Sequence, residues 1–188
     1  MPASWRTKAS PRPSVATSRP TPAVALDARR VLVAGVGYRN LRDLSVGPLA
    51  IERFGPSTET VDVEDLSYGP IDVLFMLQRR EPYAAAVFIA AVHRGRAPGT
   101  VTRSRWSPPP TVPDLLQERV AEAVTGVISI DNLLEICAHF GALPADVTLI
   151  EVEPRDDAWG EELSPDGRRA LDAAVAMARL EIDRVRAR

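Results

Sequence analysis

The chain has a single cysteine, a single lysine and no apolar run long enough to cross a membrane. With only Cys137 available, no intrachain disulfide can form, which suits a reducing compartment. Cys137 lies inside an apolar helical pattern, so the expected role is a small core residue. A nucleophile would need a nearby base, and His139, two residues on, falls on a different helix face. No segment approaches the roughly 20 apolar residues of a membrane span. Arg29-Arg30 precedes apolar residues, as in an export signal, but the run that follows, Val31 to Val36, is broken by a Gly-x-Gly and reads as a strand. A cytoplasmic protein without membrane attachment is expected. The net charge of −2 gives no global case for binding nucleic acid or anionic lipid. Lys8 apart, every basic side chain is arginine, a compositional bias with no physical requirement behind it.

Acids are missing from residues 1–26, which contain Arg6, Lys8, Arg12 and Arg19, so this segment carries +4 and the remainder −6. Five prolines hinder regular structure there, and few large apolar groups offset the entropy of ordering. The segment reads as a disordered tail; a basic docking arm for an acidic partner is the sharper alternative. Residues 27–188 then read as one domain. With 188 residues in all, 45% of them hydrophobic and 26% charged, the chain can bury a proper α/β core.

What is present is an alternation of strand and helix. Val31–Val36 predicts a buried strand and Val46–Phe54 a helix. Thr60–Asp65 predicts a second strand with Val61 and Val63 on one face, and Pro70–Arg79 a helix with proline at its first position. Ala84–Val92 is apolar throughout, as a strand covered on both faces requires. Arg96–Arg105 reads as extended, an edge strand after the Pro98-Gly99 turn. Pro113–Val124 and Ile130–Phe140 predict helices, and Val147–Val152 another strand. Ser164, Pro165 and Asp166 open a last helix, in which Leu171, Val175, Ala178, Ile182 and Val185 recur at helical spacing. The pattern predicts an α/β three-layer sandwich: a mainly parallel twisted sheet with helices on both faces.

Ligands of such sheets bind beyond the carboxyl ends of the strands. Three loops reach that edge: one with Gly35, Gly37, Asp43 and Gly47, one with Glu64, Asp65, Ser67 and Tyr68, and one with His93. Two carboxylates and an imidazole there could ligate a divalent transition metal. The plainer reading makes Asp43 a helix cap, Asp65 the stabiliser of its own turn, and His93 an ordinary surface residue. The Gly-x-Gly is not a dinucleotide fingerprint, because Asn40 occupies the third glycine position. That also counts against a flavodoxin-like or other small-molecule domain.

Five blocks taken together resemble the nickel-iron hydrogenase maturation endopeptidases. They are GVGYRNLRDLSVGP (35–48), VEDLSYGPIDVL (63–74), RAPGT (96–100), ISIDNLLEICAHFGALP (128–144) and VTLIEVEPRDDAWGEELSP (147–165). The resemblance runs from about Arg30 to the C-terminus. It implies an α/β sandwich that removes a C-terminal extension from a hydrogenase large subunit after nickel insertion, recognising the substrate's nickel through two acids and a histidine. It implies no organic cofactor and no nucleic acid, and we expect a monomer. Carried over by position, Asp65 matches the second-strand acid. The first acid falls on Leu44, with Asp43 one residue early; the histidine falls near Gly126; and the asparagine of GxGN is Tyr38. Leucine and glycine offer no ligand atoms, so the expected replacement set is Asp43, Asp65 and His93, with Asp65 and Asp43 as the candidate catalytic residues. Two functions follow from the resemblance: a divergent processing peptidase, or a non-catalytic relative that binds the large subunit as an assembly or chaperone factor.

Overall fold

The computed structural model describes residues 30–110 and 112–187, so both readings of the N-terminal tail lie outside the described residues. Five strands form one sheet: β1 (Val31–Val36), β2 (Val61–Asp65), β3 (Ala85–Ala91), β4 (Val101–Trp106) and β5 (Val147–Val152). Their order is β2-β1-β3-β5-β4, with every neighbouring pair parallel except β4 and β5. Five α-helices cover it: α1 (Val46–Phe54), α2 (Pro70–Gln78), α3 (Pro113–Ala123), α4 (Ile130–His139) and α5 (Pro165–Arg186). The predicted elements are all found, and their ends shift most at β4, which starts five residues later than the extended reading of Arg96–Arg105. A short 3-10 turn, Arg42–Ser45, precedes α1 and has no signature in the hydrophobic pattern.

The strand period explains the layers. Along β1, Leu32, Ala34 and Val36 point into one core with α2, α4 and the end of α3, while Val31 and Val33 point into the other with α1 and α5. Both faces of β1, β3 and β5 are therefore dry, which is why these three strands are so apolar. Phe88, Leu133, Leu134 and Ile136 are among the largest side chains wholly removed from water, each contributing about 1.5–3 kcal/mol. The result is the α/β three-layer sandwich that the alternation predicts. Cys137 is in the first core, where burial pushes its thiol up to about 12, so it is a packing residue.

The first turn depends on a close approach of backbones. A Cβ on Gly35 would meet the Gly47 carbonyl oxygen at 2.2 Å, and one on Gly47 would meet the Val36 oxygen at 2.3 Å. Glycine at both positions lets α1 start directly against the end of β1. The chain leaves β1 toward β2 on one side and returns to β3 on the other, so a crevice opens between the carboxyl ends of β1 and β3.

Candidate functional site

Three candidate residues sit at this carboxyl edge, and each is engaged differently. Asp43 is fully buried in the 3-10 turn. Its Oδ1 accepts from the Ser164 amide at 2.8 Å; its Oδ2 accepts from the Arg155 amide at 2.9 Å, the Asp156 amide at 3.3 Å and the Ser164 hydroxyl at 2.7 Å. Ser164 caps α5 in turn, its Oγ accepting from the Gly167 amide at 2.9 Å. Asp43 therefore does not cap α1, as the plainer reading had it; it holds Ser164, the N-cap residue of the distant α5, in place. The reason is chain geometry: the loop after β5 folds back beside residues 40–43, where the Arg42 amide donates to the Gly160 oxygen at 2.9 Å and the Asp43 amide to the Asp156 oxygen at 3.0 Å.

Asp65 ends β2. Its Oδ1 accepts from the Ser67 amide at 3.1 Å, closing its own turn, and its Oδ2 accepts from Arg39 at 2.8 Å. Arg39 bridges Asp65 to Glu52, and hydrogen bonds to Glu52 and then Asp65 raise its already high pKa further. His93 follows β3. Its side chain is 58% exposed, with Nε2 3.2 Å from Asp157 and Nδ1 3.9 Å from Glu153. Among the described residues, no three His, Cys, Asp or Glu side chains stand close enough together to hold one metal ion. The set Asp43, Asp65 and His93 is therefore not assembled: Asp43 faces the α5 cap, Asp65 faces Arg39, and His93 faces the loop after β5.

Behind His93 lies a charged brace. Arg94 donates to both oxygens of Asp131 at the start of α4, at 2.9 and 2.7 Å, and to Glu151 on β5 at 2.9 and 2.6 Å. Glu153 is buried beside it and accepts from the Arg94 and Gly95 amides. Burial would push this carboxyl up, but the surrounding N–H groups of Arg94, Arg96 and Gly95 outweigh that and hold it below the usual range. The brace fixes the start of α4 to the end of β5.

Between β1, β3 and α4 the switch-point crevice deepens into a cavity of about 190 Å³. Its apolar part is formed by Val36, Leu44, Ala90, Val92, Ile128 and Ile130. Tyr38, His93, Ser129 and Asp131 add polar groups to its lining. The Tyr38 hydroxyl accepts from the Ile128 amide at 2.8 Å, tying the first loop to the segment before α4. A groove of about 380 Å³ lies beside Pro108–Pro110 and extends to His139 at the far end of α4, away from this edge. Sequence reasoning missed Arg39, the Arg94 brace and the cavity. Each joins residues distant in the chain, and none leaves a local spacing signal.

No protein-family model matches the chain, and no curated protein matches it by sequence. Solved structures do match. Hydrogenase 2 maturation peptidase from Thaumarchaeota archaeon SCGC_AB-539-E09 is 28% identical, with 81% of this chain and 97% of that one covered at a TM-score of 0.56. The hydrogenase maturating endopeptidase HybD from E. coli is 21% identical over 82% of this chain and 93% of its own, with a TM-score of 0.61. The [NiFe] hydrogenase maturation protease HybD from Thermococcus kodakarensis is 19% identical over 81% and 99%, with a TM-score of 0.56. The chain therefore has the hydrogenase maturation protease fold and is similar to these proteins over most of its length, at low sequence identity.

Proposed function

We propose that this protein works in nickel-iron hydrogenase maturation by docking on the enzyme's large subunit at the carboxyl edge of the sheet, as a factor that binds without cleaving. The observation that carries this reading is the engagement of the three candidate ligands. Asp43 is spent on four donors of the segment that runs from Arg155 to Ser164, and Asp65 is paired with Arg39, which it shares with Glu52. Leu44, at the position of the family's first acid, contributes carbon to the cavity wall. An edge built this way retains the surface for a protein partner but offers no ready ligand set for the nickel carried by the substrate.

The competing reading, a processing endopeptidase acting on the C-terminal extension, keeps one point in its favour. Asp65 remains partly exposed at the end of β2, and its partner Arg39 is more exposed still, so this ion pair opens at little cost. The experiment is co-expression of the nickel-loaded large subunit with and without this protein, read as intact mass. Stable co-purification with no C-terminal mass loss supports the binding factor. Trimming that disappears in Asp65→Ala establishes the peptidase and refutes the proposal.

A further inference from the structure

We infer that the loop between β5 and α5 presents Trp159 as the anchor for a cationic side chain, an arginine or lysine borne by the large subunit. The inference rests on the docking edge proposed above and adds the chemistry of what that edge grips. Trp159 is 77% exposed, more than any other large apolar side chain among the described residues. Covering an indole in an interface removes a large apolar surface from water. Its backbone is already fixed. The Gly160 amide donates to the Asn40 oxygen at 2.8 Å, the Arg42 amide donates to the Gly160 oxygen at 2.9 Å, and the Ala158 amide closes a turn on Asp156 Oδ1 at 3.0 Å. The ring is therefore held out from an ordered loop, and a partner that meets it has little backbone to order.

The charge around the ring selects the occupant. Asp156, Asp157, Glu161 and Glu162 flank Trp159 in the sequence, and residues 156–162 include no cation. Arg42 reaches Asp156 at 3.3 Å, and His93 reaches Asp157 at 3.2 Å. The neighbouring arginines are engaged elsewhere: Arg155 pairs with Asp166, and Arg168 donates to the Leu163 oxygen at 2.6 Å. Glu161 and Glu162 are exposed and, among the described residues, have no hydrogen bond or ion pair. Two unmatched carboxylates repel an acidic partner and attract a basic one. A guanidinium or ammonium lying on the indole is drawn by the negative face of the ring. Its hydrocarbon stem covers the ring while the carboxylates accept from its N–H groups. A neutral aliphatic group would also cover the ring, but it would leave both glutamates partly desolvated without a counter-charge. A cation on an aromatic face is worth only about two- to thirtyfold in an equilibrium constant. Trp159 therefore acts as one anchor of a wider protein interface and not as a small-molecule site.

The test measures binding of the nickel-loaded large subunit to the wild-type full chain, to Trp159→Leu and to the double variant Glu161→Gln/Glu162→Gln, at low and at high salt. All three positions are exposed, and thermal melts check that the variants fold. Binding weaker by about fivefold or more in each variant, with a shallower salt dependence in the double variant, is the expected result. Trp159→Leu keeps an apolar side chain and loses the aromatic face, so wild-type affinity there overturns the inference; an unchanged salt dependence in the double variant does the same. A second measurement stands apart from the partner. N-acetyl-arginine methylamide at tens of millimolar should shift the Trp159 indole N–H signal, identified by its loss in Trp159→Leu, and N-acetyl-glutamate methylamide at the same ionic strength should not. If the large subunit fails to bind at all, the proposed function falls, and this probe alone decides the anchor: no shift, or equal shifts with both compounds, refutes it. A Trp159 signal of the free chain that moves with salt at constant protein concentration gives the face to the chain's own basic residues 1–26, and one that moves on dilution gives it to a second copy; either result overturns the assignment to the large subunit.

Discussion

Replacing Asp43 distinguishes a structural latch from a ligand most sharply, because the two roles differ in what they do to stability. Asp43→Ala removes the acceptor of the Arg155, Asp156 and Ser164 amides and of the Ser164 hydroxyl. Buried donors left without a partner cost about 1–3 kcal/mol each. Partial relaxation and entering water reduce the sum, so a loss of about 3–5 kcal/mol is expected, comparable to breaking a buried charged network. For a domain of this size each kcal/mol shifts Tm by roughly 2–4 °C, so the melt should fall by about 6–20 °C. Gly167 gives an internal control. A Cβ there would sit 2.1 Å from Asp43 Oδ1, so Gly167→Ala should destabilise by about 1–3 kcal/mol through overpacking. Once Asp43 is alanine the obstacle is gone, and the same change should be neutral or gain up to ~1 kcal/mol of helix propensity. Urea titrations of the four proteins in the cycle measure this coupling, and hydrogen exchange at Arg155, Asp156 and Ser164 locates it. An Asp43→Ala variant within about 1 kcal/mol of wild type, or additive effects at the two sites, would refute the latch.

Other consequences are simpler to check. Asp65→Ala removes a partly exposed ion pair and one turn hydrogen bond, so a thermal melt should register a loss of about 1 kcal/mol or less; a larger drop would make the Arg39–Asp65–Glu52 bridge a structural element. Cys137 is buried with its thiol pushed up to about 12, so a disulfide reagent at pH 8 should react only as fast as the protein unfolds; rapid labelling in native buffer would contradict its place in the core. Burial pushes Glu153 and Glu181 up, but N–H groups of residues 94–96 around Glu153, and Arg184 with Arg103 and Arg105 around Glu181, leave both below the usual carboxylate range. Their folded pKa values lie under the unfolded ones, so their stabilisation is complete above the ordinary glutamate range and lost as pH falls through the lowered values. Urea midpoints measured from pH 6 to pH 3 should decline on the acid side, and less so in Glu153→Gln.

The fold was legible because its signals are local. Uninterrupted apolar runs in β1 and β3, and a run in β5 broken only by Thr148 and Glu151, mark strands covered on both sides, and Ser164 with Pro165 marks the start of α5, its cap borne out by the bond to Gly167. The antiparallel direction of β4 was not legible. Its residues, Val101 to Trp106, alternate weakly and lie at the sheet edge, so their pattern carries no information about direction. The 3-10 turn escaped for a similar reason: four residues are too few to show a period.

The candidate site was legible as a place and not as an arrangement. Sheet topology brings the ends of β1, β2 and β3 to one edge, so Asp43, Asp65 and His93 could be located there from strand order alone. Whether a carboxylate faces a crevice or a helix cap is decided by partners more than a hundred residues away, here Arg155, Asp156 and Ser164 for Asp43. The acid beside Leu44 invites the idea that one residue type simply moved by one position. A one-residue step along a tight turn changes the direction of the side chain, however, and the neighbours complete the change: Leu44 lines the cavity while Asp43 points at α5. Asp43 therefore does not stand in for a ligand at position 44. Position 44 places a hydrocarbon side chain in the crevice wall, and the carboxylate beside it serves the start of α5.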